Sequence, residues 1–168
     1  MSKAVMISIR PKWCEKICRG EKTVEVRKTR PKLETPFKCY IYETQGRTDT
    51  PWVDEDGHMI FSGRGKVIGE FICDHIYELA PLNHAPDDVE QQACLTREEI
   101  VRYLKGVGYG WHISNLKIYD TPKELSKFSR PFENCIDKVC DEFGCALCEN
   151  GGHIKRAPQS WCYVEEQK

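Results

Sequence analysis

The sequence predicts an α+β fold built on a curled, mostly antiparallel sheet. Three observations predict it. Short apolar runs with partial two-residue alternation recur at 4–10, 37–43, 65–79, 108–120 and 160–166. Two segments, 11–20 and 96–106, carry helical spacing instead. Strand and helix do not alternate regularly, which argues against a doubly wound parallel sheet. The 168 residues suit one domain over 1–168, with a cysteine-rich insertion at about 129–158.

The elements follow in chain order. "AVMISIR" is a short apolar strand ending at Arg10. "PKWCEKICRG" is a helix with Pro11 in its first turn and Gly20 at its C-terminal end. Trp13, Cys14, Ile17 and Cys18 share one face of it. "GEKTVEVRK" is a strand in which Val24 and Val26 alternate with Glu25 and Arg27. "FKCYIYE" is the next strand, and "WVDEDGHMIF" a hairpin with Asp56-Gly57 at its tip. "GKVIGEFICDHIYEL" is a long strand in which Gly69 marks a bulge or bend. "TREEIVRYLKG" is a helix with a Thr96/Glu99 capping box, an Ile100, Val101, Leu104 stripe and Gly106 at its end. "GYGWHISNLKIYD" is a strand, "TPKELSKF" a helical turn and "SWCYVEE" the last strand.

Charge is uneven. The formal net charge is −1, yet residues 1–50 hold 12 Lys/Arg against 6 Asp/Glu and the remainder 13 against 20. A globally basic nucleic-acid coat is excluded, and any attraction for anions belongs to the first third. No stretch approaches the roughly 20 apolar residues of a membrane span. The start has no long apolar run or small-residue cleavage site, so a cytoplasmic location is expected. Most of the ten cysteines then read as core thiols or metal ligands, not disulfides; Cys14, Cys18, Cys39 and Cys73 read as core positions.

The charged strand has two readings. Alternating charges on a half-solvated strand stabilise it by cross-strand pairing and do nothing else. Alternatively, Lys22, Glu25 and Arg27 converge as the wall of a site. Arg27 brings a fork of donors for an anion. Glu25 can accept N–H groups or act as a base. Arg10 and Trp111 are further ligand candidates: a Trp at a cleft stacks a base, although Trp111 serves equally well as core. His112, next along the strand, points the other way.

"ISIRPKWCEKICRGEKTVEVRK" resembles the amino-terminal signature of the ASCH domain family, relatives of the PUA domains. That signature is a strand, a short helix, then glycine-x-lysine-x-x-glutamate-x-arginine, matched by Gly20, Lys22, Glu25 and Arg27. "KVIGEFICDHI", "GWHISNLKIYDTPKELSKF" and "PQSWCYVEE" follow in the matching order. The resemblance implies a small PUA-like β-barrel with peripheral helices. It also implies a cleft beside the motif that receives RNA, a nucleotide or a modified nucleoside. Some small bacterial members are amidohydrolases that deacylate N4-acetylcytidine. Lys22 matches their catalytic lysine. Glu25 stands where they have a threonine, and Thr23 is one residue after the lysine instead of three. Their further glutamate has Glu90, Glu98 and Glu99 as possible counterparts here.

The cysteine segment is the second informative stretch. Cys135, Cys140, Cys145 and Cys148 are separated by four, four and two residues. C-x2-C is a zinc half-site because its turn lets two thiolates meet one metal. The four are expected to hold a structural zinc ion, with a closed coordination shell and no catalytic role. Three functions thus stand open: an RNA- or nucleotide-binding module, an amidohydrolase with Lys22 and Glu25 as its working groups, and a protein-interaction adaptor docking through the cysteine segment.

Overall fold

The computed structural model describes residues 2–45, 64–79, 85–131 and 152–167, and the backbone of 52–53 and 59–60. The described strands are β1 (Lys3–Ile9), β2 (Val24–Arg27), β3 (Phe37–Glu43), β4 (Trp52–Val53), β5 (Met59–Ile60), β6 (Lys66–Cys73), β7 (Ile76–Glu78), β8 (Tyr109–His112), β9 (Ser114–Lys123) and β10 (Trp161–Glu165). The helices are α1 (Pro11–Cys18), α2 (Val89–Ala93) and α3 (Arg97–Leu104), with a 3-10 turn at Leu125–Lys127.

The strands form a five-stranded sheet in the order β10-β1-β3-β6-β9 and a three-stranded sheet β2-β8-β7. The short β4-β5 pair is separate and antiparallel, as a hairpin requires; its expected Asp56-Gly57 tip lies outside the described residues. All pairings are antiparallel except β1 with β3, which is parallel. The ladders among the described residues do not close into a ring, so the expected small barrel is here a mixed α+β arrangement of two main sheets with three helices.

Two expected long strands are each split. The chain leaves β6 for β7 across Asp74 and His75, and β8 becomes β9 across Ile113. Each passage carries the chain between the two sheets. The corner is held by His112 N–H donating to His75 O (2.9 Å) and Ile113 N–H to Thr23 O (2.8 Å). Gly69 is where β6 shifts register against β9, and a Cβ there would lie 2.5 Å from the Lys117 carbonyl oxygen.

Alternation explains the packing. On β1, Val5, Ile7 and Ile9 enter a main core with Ile41, Phe71 and Trp111, closed by Cys14 and Ile17 of α1. Ala4 and Met6 point the other way, to Tyr40, Val67, Phe128 and Val164. A strand buried on both faces reads as an unbroken apolar run. A third cluster gathers Val24 and Val26 of β2 under Val89 and Ala93 of α2 and Ile100 and Leu104 of α3. Each fully buried valine or isoleucine there stabilises the fold by roughly 1.5–3 kcal/mol.

Helix α3 begins as its sequence predicts. Thr96 accepts from Glu99 N–H, and Glu99 accepts from Thr96 N–H. Val101 is exposed rather than part of the buried stripe, and Cys18 is exposed rather than core, because each lies at the edge of a helix face too narrow to cover it. Cys14, Cys39 and Cys73 are buried as expected, and burial raises the Cys73 thiol to about 12. Helix α2 was not expected. None of the described helices is long and apolar enough to cross a membrane.

Candidate functional site

Lys22 is aimed by the end of α1. Gly20 adopts φ +74°, the left-handed conformation that a glycine takes without steric cost. Gly20 N–H then donates to Ile17 O (2.9 Å) and Glu21 N–H to Lys16 O (2.9 Å), the paired bonds of a Schellman ending. Lys22 N–H also reaches Lys16 O (3.1 Å), so the chain turns tightly before β2 starts. The lysine side chain is driven inward and is 2% exposed. Its ammonium donates to Ala93 O at the end of α2 (2.6 Å) and lies 4.9 Å from the centre of the Trp13 ring.

All four residues of β2 are buried, which rules out the half-solvated surface strand. The valines face α2 and α3. Glu25 pairs directly with Trp111 of β8, so both side chains leave the sheet on the side of the main core. There Glu25 sits between two cations. Its Oε1 is 3.0 Å from Arg27 Nη2 and its Oε2 is 3.4 Å from Lys22 Nζ. Glu25 is 6% and Arg27 8% exposed.

Arg27 also stitches the sheets together. Nη2 donates to Ser8 O of β1 (2.6 Å) and Nη1 to Ser160 Oγ just before β10 (3.2 Å). Its Nε is buried and has no hydrogen-bond partner among the described residues. The expected anion fork is therefore largely consumed inside the protein. Three buried charges with a formal excess of one positive are costly to keep. A buried ion pair of this kind is weak evidence of net stabilisation.

The three charged residues line one wall of a cleft of about 810 Å³. Ser8, Arg10, Trp13, Val26, Thr44, Leu95, Glu99, Tyr103 and Gln159 complete its lining. Arg10 is exposed at its mouth. Of the three possible glutamates, only Glu99 lines the cleft. Its bond to the Thr96 backbone N–H holds its carboxyl below the usual glutamate value. Glu90 is instead bonded to Arg97 N–H (2.5 Å), and its other oxygen is 3.6 Å from Arg97 Nε.

Arg10, Lys22, Glu25 and Arg27 thus come together as the sequence predicts. Trp111 does not join them. It is fully buried in the main core, edge-on to Phe37 with ring centres 6.0 Å apart. The aromatic groups at the cleft are Trp13, which the sequence assigns only to a helix face, and Tyr103, which the sequence reading does not single out. Tyr103 carries a signal in hindsight: it is a large ring off the apolar stripe of α3, 43% exposed. His112 faces away from the cleft and bonds through Nδ1 to Asp74 Oδ1 (2.6 Å). Cys135, Cys140, Cys145 and Cys148 lie outside the described residues. Among the described residues no group of three or more His, Cys, Asp or Glu side chains is placed to hold a metal ion.

The architecture is that of a mixed α+β domain whose charged second strand walls a cleft between helices and sheets. Its fold is ASCH-type. A solved ASCH structure from Zymomonas mobilis superposes with a TM-score of 0.61 at 18% identity, covering 97% of this chain and 88% of that one. A tyrosine-to-phenylalanine variant from the same organism also gives 0.61 at 18%, covering 98% and 92%. A serine-to-alanine variant gives 0.61 at 17%, covering 97% and 89%. No family model and no curated protein matches the sequence. At such identities the likeness establishes the fold.

Proposed function

We propose that this domain binds RNA, a nucleotide or a modified nucleoside in the cleft walled by Lys22, Glu25 and Arg27. One observation carries the reading: a buried Lys-Glu-Arg trio forms the wall of an open cleft, and the cleft has the volume of a small-molecule site. Glu25 offers acceptor positions to exocyclic amino or imino groups of a base. Lys22 offers a donor to a ring carbonyl, and Trp13 and Tyr103 offer flat faces for stacking. A titration screen over modified nucleosides, nucleotides and short single-stranded RNAs tests it. Binding of the phosphorylated members should be salt-sensitive, and binding of any member should fall in Lys22→Met and Glu25→Gln variants that remain folded. If no member of the screen binds, the reading fails.

A second reading rests on the Lys22 Nζ to Glu25 Oε2 distance of 3.4 Å. In an amidohydrolase of N4-acetylcytidine-like substrates, Glu25 takes a proton from water as its oxygen attacks the acyl carbon. The carbon–nitrogen bond then breaks, the amine leaves with a proton supplied through Lys22, and the products are acetate and cytidine. Acetate release that disappears in Lys22→Met supports it. An absence of turnover across a panel of acylated cytidines removes it.

The zinc assignment at Cys135, Cys140, Cys145 and Cys148 is independent of the cleft. About one equivalent of zinc in protein purified without added metal supports it, and less than about half an equivalent counts against it.

A further inference from the structure

The cleft has cationic groups at two depths, and they differ in what they are free to do. At the bottom, Lys22 and Arg27 share the single carboxylate of Glu25, leaving one formal positive charge in excess. Their donors already serve Ala93 O, Ser8 O and Ser160. At the mouth, Arg10 is exposed, and its guanidinium has no hydrogen-bond or ion-pair partner among the described residues. The other acid of the lining, Glu99, is bonded to the α3 cap. The rim repeats the theme. Lys12 lies 4.9 Å from the centre of the Trp13 ring and Lys28 5.2 Å from that of Tyr103. Each aromatic ring of the cleft therefore has a lysine ammonium over it.

We propose that the ligand of this cleft is phosphorylated, with Arg10 receiving the phosphate while the base enters toward Glu25. This inference rests on the nucleobase reading above and narrows it from nucleosides to nucleotides. A guanidinium that breaks no existing bond is the group best placed to take a phosphate in fork geometry. A ligand anion also offsets the formal excess held by the trio. The phosphate belongs to a mononucleotide or to the backbone of a single strand, and the chemistry at Arg10 is the same for both.

Calorimetric titration of the full chain separates the outcomes. The probes are the four ribonucleosides, their monophosphates and the four homopolymeric RNA hexamers. Phosphorylated probes should bind at least about tenfold more tightly than the matching nucleosides. Arg10→Ala should abolish that advantage without lowering the melting temperature. It should also flatten the dependence of log affinity on log salt by about one unit, while Arg10→Lys keeps the salt dependence but recovers only part of the affinity, since a lysine lacks the fork. An advantage shared by monophosphates assigns a terminal phosphate, and one confined to hexamers assigns a phosphodiester. Nucleosides that bind as tightly as their phosphorylated forms, with Arg10→Ala neutral, overturn the inference and leave the nucleobase reading standing. If no probe binds, both fall.

Discussion

Two ionic clusters sit in different settings of one molecule. In the cleft, Lys22, Glu25 and Arg27 have side chains between 2% and 9% exposed. On the five-stranded sheet, Lys38 bridges Glu70 (3.8 Å) and Glu166 (3.3 Å) with side chains 21–32% exposed. Glu70 also accepts from Tyr119 Oη (2.5 Å), and Glu166 from the Ser2 hydroxyl. The second cluster is balanced toward negative charge, solvated, and ties the end of β10 to its neighbours. The first is desolvated and formally one positive charge in excess. The comparison teaches that residue type and pairing do not distinguish the two clusters; burial, charge imbalance and adjacency to a cleft do.

The comparison can be broken at either cluster. Glu25→Ala should have the largest effect, because it leaves two cations buried without a counter-charge; a loss of about 3–5 kcal/mol in urea denaturation is expected. Lys22→Met should cost less, about 1–2 kcal/mol, since it leaves Ala93 O without its donor but keeps the Glu25–Arg27 pair. That same variant should lose ligand binding, which a purely structural role would not move. Lys38→Met should cost under about 1 kcal/mol, shrinking further in high salt. The smallest effect is a pH dependence. The Ser2 hydroxyl bond, then Lys38, lowers the Glu166 carboxyl below its ordinary 4.5. Its contribution is therefore complete above that value and lost as pH falls through the lowered one. Glu166→Gln should flatten this part of an acid-denaturation curve. If Lys38→Met proves as damaging as Glu25→Ala, the contrast between the clusters is wrong.

Much of this was legible in the sequence where the signal is local. The α1 start at Pro11, the left-handed Gly20, the bounds of β3 and the Thr96/Glu99 box all depend on residues within a few positions of one another. The cleft group was legible for the same reason, since Lys22, Glu25 and Arg27 come from one corner and one strand. What escaped depends on distant packing. The parallel β1–β3 pairing joins segments that no turn signal connects. Alternation marks the two faces of β2 but cannot say that helices cover one and a second sheet the other. Trp111 reads equally as cleft or core in the sequence, and only the register of β8 against β2 and the packing around it place it in the core. Helix α2 is one short turn-and-a-half after a Pro-Asp-Asp lead, with too few positions for periodicity to register.

The tight exit from α1 makes the spacing of the motif a ruler. Gly20 sets the corner, Lys22 falls just beyond it, and Glu25 and Arg27 lie two apart on one face. One residue inserted between Gly20 and Val24 would shift the frame of the strand by half a pleat. Glu25 and Arg27 would be thrust among Val89, Ile100 and Leu104, and the two valines would turn to the side the charges now hold. A changed letter here removes one group of the motif, whereas a changed count displaces them all.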